Sequence, residues 1–170
     1  EKAKKRNKVS EYFSTVLYQI GLTPRRAVNS MIFLLVFSSL ASICYILLLA
    51  GKSGTAFQTF LGSNPQSAVM FIISTVDFGL GYVLWNKKEE LITRRKNFQA
   101  FSTFLFFSQL IVGNLVCVIL AGISLYVSSQ VKNDEGKYLS GAEITLFSIS
   151  GLVYIFCVII YYVYGDSFKI

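Results

Sequence analysis

Residues 27–50, AVNSMIFLLVFSSLASICYILLLA, carry no charged side chain anywhere along their length. A soluble helix that lies on a core shows a polar face every turn, and this stretch has none. It is long enough to cross the ~30 Å hydrocarbon layer of a bilayer, which takes ~20 mostly apolar helical residues. Three more blocks are long and mostly apolar, at about 66–86, 100–127 and 141–164, with Asp77 and Glu143 their only charged residues. In lipid each span must satisfy its own backbone amides and carbonyls, so the blocks read as helices. The expected fold is therefore all-α. It is an integral membrane, antiparallel four-helix bundle over residues 23–165, with a short tail at 166–170. Apolar residues make up 54% of the 170, above the ~45–50% of soluble domains.

The charges orient the spans. Of sixteen Lys and Arg residues, seven lie within 1–26 and five within 87–96. These runs directly flank apolar spans, which argues for a membrane surface as the partner and against nucleic acid. By the positive-inside rule both termini and the connection NKKEELITRRK (86–96) face the cytoplasm, and 51–65 and 128–140 face the other side. Gly51, Gly54, Gly62 and the Asn64–Pro65 pair mark 51–65 as a turn-rich connection. Ahead of the first span, Val9, Tyr12, Phe13, Val16, Leu17 and Ile20 recur at helical spacing. With Lys4, Lys5, Arg6 and Lys8 before them, residues 1–22 read as a basic cytoplasmic segment and an amphipathic helix in the headgroup plane. Arg25, Arg26, Arg94, Arg95 and Lys96 extend the same basic face towards anionic headgroups.

The chemistry-bearing residues are few. There is no His, which removes the commonest metal ligand and general base together. Cys44, Cys117 and Cys157 all sit in apolar blocks at irregular spacing, which suits core packing and not a disulfide framework or a zinc site. Glu89 and Glu90 read as solvated loop charges, and Glu143 as a carboxylate at a helix N-terminus. No catalytic constellation, metal site or cofactor motif is present, and an enzyme is not expected.

Asp77 is the exception within the spans. It lies near the middle of its block, where a charge costs at least ~2.5–3.5 kcal/mol, and no Lys, Arg or His lies inside any of the four blocks. It is then protonated, held by neutral donors, or matched by a cation or by a basic residue of another chain. Counting depth from the span ends places Ser38, Ser39, Asn114 and Tyr154 at its level, a polar layer in which Asn114 is the expected partner. Gly113, Cys117 and Ala121 repeat every fourth residue, a stripe of small side chains for close helix packing. Gly79 and Gly81 permit a close approach just past the carboxylate.

The order of features resembles the MARVEL-type four-span proteins, such as synaptogyrins and synaptophysins. The similar pieces are TPRRAVNSMIFLLVFSS, the Asp of STVDF, the basic connection KKEELITRRK, the Phe-rich FSTFLFF and GAEITLFSIS opening the fourth span. The resemblance implies a vesicle or plasma-membrane protein that organises membrane. The function expected is that of a non-enzymatic scaffold, membrane organiser or accessory subunit of a larger complex, with partner subunits or a second copy of itself. The alternative is a small transporter or channel subunit that uses Asp77.

Overall fold

The computed structural model describes residue 21, residues 23–131 and residues 140–165, and over these the regular secondary structure is all helix, without a strand. The helices are α1 (Pro24–Ser53), α2 (Phe57–Ser63), α3 (Pro65–Thr93), α4 (Arg95–Val112), α5 (Leu115–Val127) and α6 (Gly141–Gly165), with a single 3-10 turn at Ser128–Gln130 after α5. The proposed interfacial helix and Lys4, Lys5, Arg6 and Lys8 lie outside the described residues. Among the described residues three helices are long and apolar enough to cross a membrane: α1, α3 and, within α6, Glu143–Val163. Their outward faces carry large apolar side chains, among them Phe33, Phe37, Leu48, Leu152 and Phe156. Such faces suit lipid and would be costly in water. This is a membrane protein.

Local signals set the helix starts. Thr23 caps α1 by accepting from the Arg26 amide at 3.3 Å, with Pro24 in the first turn. The Glu143 carboxylate reaches back to the Ser140 amide at 2.8 Å and so caps α6. The connection 51–65 is not a simple turn. α1 continues to Ser53, and α2 buries Phe60 against Ile46 and Ala50. The basic connection is not a loop either, because α3 runs on to Thr93 and only Arg94 separates it from α4. There Glu89 and Glu90 are solvated, as expected, but on a helix and within reach of basic side chains. Arg25 meets Glu89 at 2.7 Å, and Lys87 and Arg94 meet Glu90 at 3.2 and 3.5 Å. At such exposure each pair contributes only ~0–1 kcal/mol.

The largest departure from the sequence reading is in residues 100–127, expected as one span. The helix breaks at Gly113 and Asn114, and the two halves pack side by side as a hairpin. Gly113 has φ 82°, a left-handed conformation that glycine adopts without the usual steric cost, and its amide closes α4 on Gln109 and Leu110. Asn114 then caps α5 by accepting from the Cys117 amide at 3.3 Å. The Gln99 amide donates to the Ser128 hydroxyl at 3.0 Å, which ties the far ends of the hairpin together. Gly122 lets the Phe106 ring approach.

The hairpin reverses the rest of the chain. Ser128 returns to the end of the molecule that carries Arg94, and Glu143 lies 3.4 Å from Lys87. The start of α6 is thus at the basic end, where the sequence reading put 128–140 at the opposite one. Helices neighbour one another in the order α1, α3, α6, α4, α5 and back to α1. The common core inside this ring includes Met31, Leu35, Leu84, Phe98, Leu105, Cys117, Ala121 and Tyr154. α1 packs tightly on α3, where a Cβ on Gly81 would sit 2.8 Å from a Val36 methyl.

Candidate functional site

α3 and α4 run in opposite directions from the joint at Arg94. Asp77 precedes that joint by nearly as many residues as Gln109 follows it, so the two arrive at one depth. Tyr154 comes to the same place from the middle of α6. The Gln109 side-chain amide donates to Asp77 Oδ1 at 2.7 Å, and the Tyr154 hydroxyl donates to the same oxygen at 2.5 Å. Asp77 is 5% exposed, and Gln109 and Tyr154 are fully buried. Two neutral donors on one buried carboxyl oxygen answer part of the desolvation problem, since a hydrogen bond to a charged group is worth ~1.5–3 kcal/mol. No basic side chain contacts this carboxyl group among the described residues. Gln109 Oε1 is buried and has no hydrogen-bond partner among the described residues.

Both bonds fall on Oδ1, and Oδ2 makes none among the described residues. Asp77 also lines a pocket of about 590 Å³ that reaches Gln66 in the first turn of α3. Ser38, Ser39 and Ser42 from α1, Ser74 from α3, and Cys157, Tyr161 and Tyr162 from α6 contribute to the wall. Gly113 and Asn114, the tip of the hairpin, line it too. α4 has 18 residues and rises only about 27 Å, against about 44 Å for the 29-residue α3. The hairpin stops short of the far end of its neighbours, and the pocket occupies that level.

The residues expected to form a polar layer have separate fates. Asp77 and Tyr154 are bonded to each other. Ser38 and Ser39 donate to the Leu35 carbonyl at 3.3 and 2.6 Å, one turn back in their own helix, and do not reach Asp77. Asn114 is not the partner of Asp77, because its side chain is committed to capping α5. These three residues share the pocket wall with Asp77 and nothing more direct. The small-residue stripe also divides. Cys117 and Ala121 are fully buried, whereas Gly113 is the turn and a Cβ there would meet nothing within 4 Å. Likewise Gly81 is a packing position and Gly79 faces open space. In the basic set, Arg26 donates to the Gly21 carbonyl at 2.8 Å, and Arg95 and Lys96 open α4 at the same end.

Gln109 is the residue the sequence reading overlooked. Its signal was available, as the one carboxamide besides Asn114 within 100–127, but a continuous helix gave it no privileged depth. Gln66, Ser42 and Ser74 were equally invisible without a pocket to join them. No protein-family model matches this chain, and neither a curated protein nor a solved structure matches it, so the reading of the site rests on its own geometry.

Proposed function

We propose that the protein is a small membrane transporter whose pocket takes up a solute, with Asp77 at the foot of the path. One observation carries this reading: the carboxylate and the tip of a broken helix line the same cavity, among helices long and apolar enough to cross a membrane. Non-helical backbone inside a bilayer is tolerated where it is buried in protein or faces a cavity, and broken helices of this kind build substrate sites in transporters. An ionisable side chain within a span is by default a candidate for a functional pathway. On the basic side of Asp77 the path is blocked by the packed ring around Leu84, Phe98 and Leu105. Passage would therefore require the hairpin to shift against α3 and α6.

The accompanying topology places the basic end in the cytoplasm, by the positive-inside rule. Residues 54–64 and the end of α6 then lie on the other side, with an odd number of chain passages through the body of the protein. In this orientation the pocket belongs to the non-cytoplasmic half.

Reconstituted proteoliposomes test the transport reading. Vesicles with and without protein are exposed to a mixture of low-mass cations, polyols and carboxylates, and the lumen is assayed by mass spectrometry. Protein-dependent uptake of one class is expected, lost in Asp77→Asn and retained in Glu90→Gln, a carboxylate outside the pocket. Uptake of no class, or uptake indifferent to Asp77→Asn, would return the protein to the scaffold or accessory-subunit reading.

A further inference from the structure

We infer that the pocket is selective for a small organic ammonium ion, a protonated amine that keeps its N–H donors and carries a short apolar body. The inference rests on the reading of this cavity as the working site and names its guest. The first argument is the hydrogen-bonding sense of the wall. The hydroxyl protons of Ser38, Ser39 and Ser74 are all given to backbone carbonyls of their own helices, at 3.3, 2.6 and 2.8 Å. What these side chains still offer a guest is oxygen lone pairs. Asp77 adds Oδ2, an acceptor with no protein donor among the described residues. Gln66 and Asn114 bring amide donors to other parts of the lining, but beside the carboxylate the three serines and Oδ2 form an acceptor face, and that face selects a guest with N–H donors.

The second argument is charge. Among the described residues the lining includes one carboxylate and no Lys or Arg, and a bound cation supplies a counter-charge that none of these residues brings to Asp77. An anion would meet that carboxylate with nothing to offset it. The third is size and the remaining surface. A cavity of about 590 Å³ is in the ~300–1,000 Å³ range of small-molecule sites and far larger than a bare metal ion needs. No cluster of three His, Cys, Asp or Glu side chains exists among the described residues to hold such an ion. Val69, Ile73, Ile111 and Val158 line the pocket beside the polar groups, and Tyr161 provides an aromatic face of the kind that attracts organic cations.

The test uses the full chain in lipid nanodiscs with n-butylammonium as the probe. Tetramethylammonium, n-butanol, butyrate and sodium alone serve as comparators in calorimetric titrations. Saturable binding of n-butylammonium is expected, at least tenfold tighter than any comparator, and at least tenfold weaker in Asp77→Asn. A second measurement does not depend on that variant: n-butylammonium should protect a cysteine introduced by Ser42→Cys from alkylation, and butyrate should not. Equal binding of tetramethylammonium would overturn the donor argument. Equal binding of n-butanol or butyrate would overturn the charge argument, and tighter sodium binding would reassign the site to a metal ion. If n-butylammonium binds in this manner and proteoliposomes show no flux, the ligand class stands and transport falls. If flux is found only for polyols or carboxylates, transport stands and the ligand class falls.

Discussion

At the scale of single residues, the carboxylate of Asp77 should be coupled to Gln109 and Tyr154 and uncoupled from Asn114. Asp77→Leu leaves a buried amide and a buried hydroxyl without an acceptor, at ~1–3 kcal/mol for each unmatched group. It should lower the melting temperature in detergent markedly. Asp77→Asn keeps an acceptor oxygen in place and should be much milder. In double-mutant cycles, Asp77→Leu with Tyr154→Phe should recover part of the loss, because the second change removes the orphaned hydroxyl. Asp77→Leu with Asn114→Ala should be additive, and a coupling there would restore the polar layer that depth counting suggested. The two glycines of α3 make a sharper contrast. Gly81→Ala drives a Cβ to 2.8 Å from a Val36 methyl and should destabilise the α1–α3 contact by ~1–3 kcal/mol, the usual range for overpacking. Gly79→Ala meets nothing within 4 Å and should stabilise α3 by up to about 1 kcal/mol. Thermal melts of the two variants side by side decide it, and equal effects would place the helix contact elsewhere.

At the scale of elements, the hairpin of α4 and α5 is the feature on which the rest depends. A continuous helix over 100–129 would hold its ends about 43 Å apart. The hydrogen bond from Gln99 to Ser128 at 3.0 Å requires them to be neighbours. Spin labels on the exposed positions Ala100 and Ser129 should therefore report a distance well under half the continuous-helix value. A distance near that value would remove the hairpin and the pocket above it together. The turn itself is held by two local devices. Gly113→Ala puts a side chain at φ 82°, at about 1–2 kcal/mol for a left-handed residue. Asn114→Ala removes the cap of α5, at ~1 kcal/mol. Each should lower stability without abolishing the fold, because the packing of Gly122 on Phe106 and of Phe101 and Phe104 on Phe147 is untouched.

At the scale of the whole molecule, one broken helix changes which end each later residue occupies. The ion pair of Lys87 with Glu143 and the shared pocket of Gln66 with Tyr161 both place α6 with its start at the basic end. In a Cys44→Ser background, a cysteine at Ser140 should react with an impermeant maleimide from the same side as one at Glu89. A cysteine at Thr55 should react from the other side. Labelling of position 140 together with position 55 would contradict the arrangement and return the chain to an even number of passages.

The helical class and the places of the apolar segments were legible in the sequence because both follow from local physics. Lipid leaves a backbone no alternative to satisfying itself, and the thickness of the hydrocarbon sets the length of α1, α3 and α6. The carboxylate of Glu143 at the start of α6 was legible for the same reason, since it acts within one turn. The break at Gly113 was not. Glycine is tolerated within membrane helices, so Gly–Asn in an apolar run is compatible with a straight span or a turn. The balance is decided by what α5 gains from lying on α4: the Phe106 ring against Gly122, the Gln99–Ser128 bond and the burial of Cys117 and Ala121. Those gains come from residues far apart along the chain and have no local signature. The partner of Asp77 follows from the same decision. Once the chain turns at Gly113, Asn114 is used as a cap, Gln109 is left facing α3 at the depth of the carboxylate, and the space beyond the hairpin tip becomes a pocket. The sequence by itself determined that a carboxylate would sit among apolar helices. Only the tertiary structure decided which side chains hold it and that, among the described residues, both of their bonds fall on one of its two oxygens.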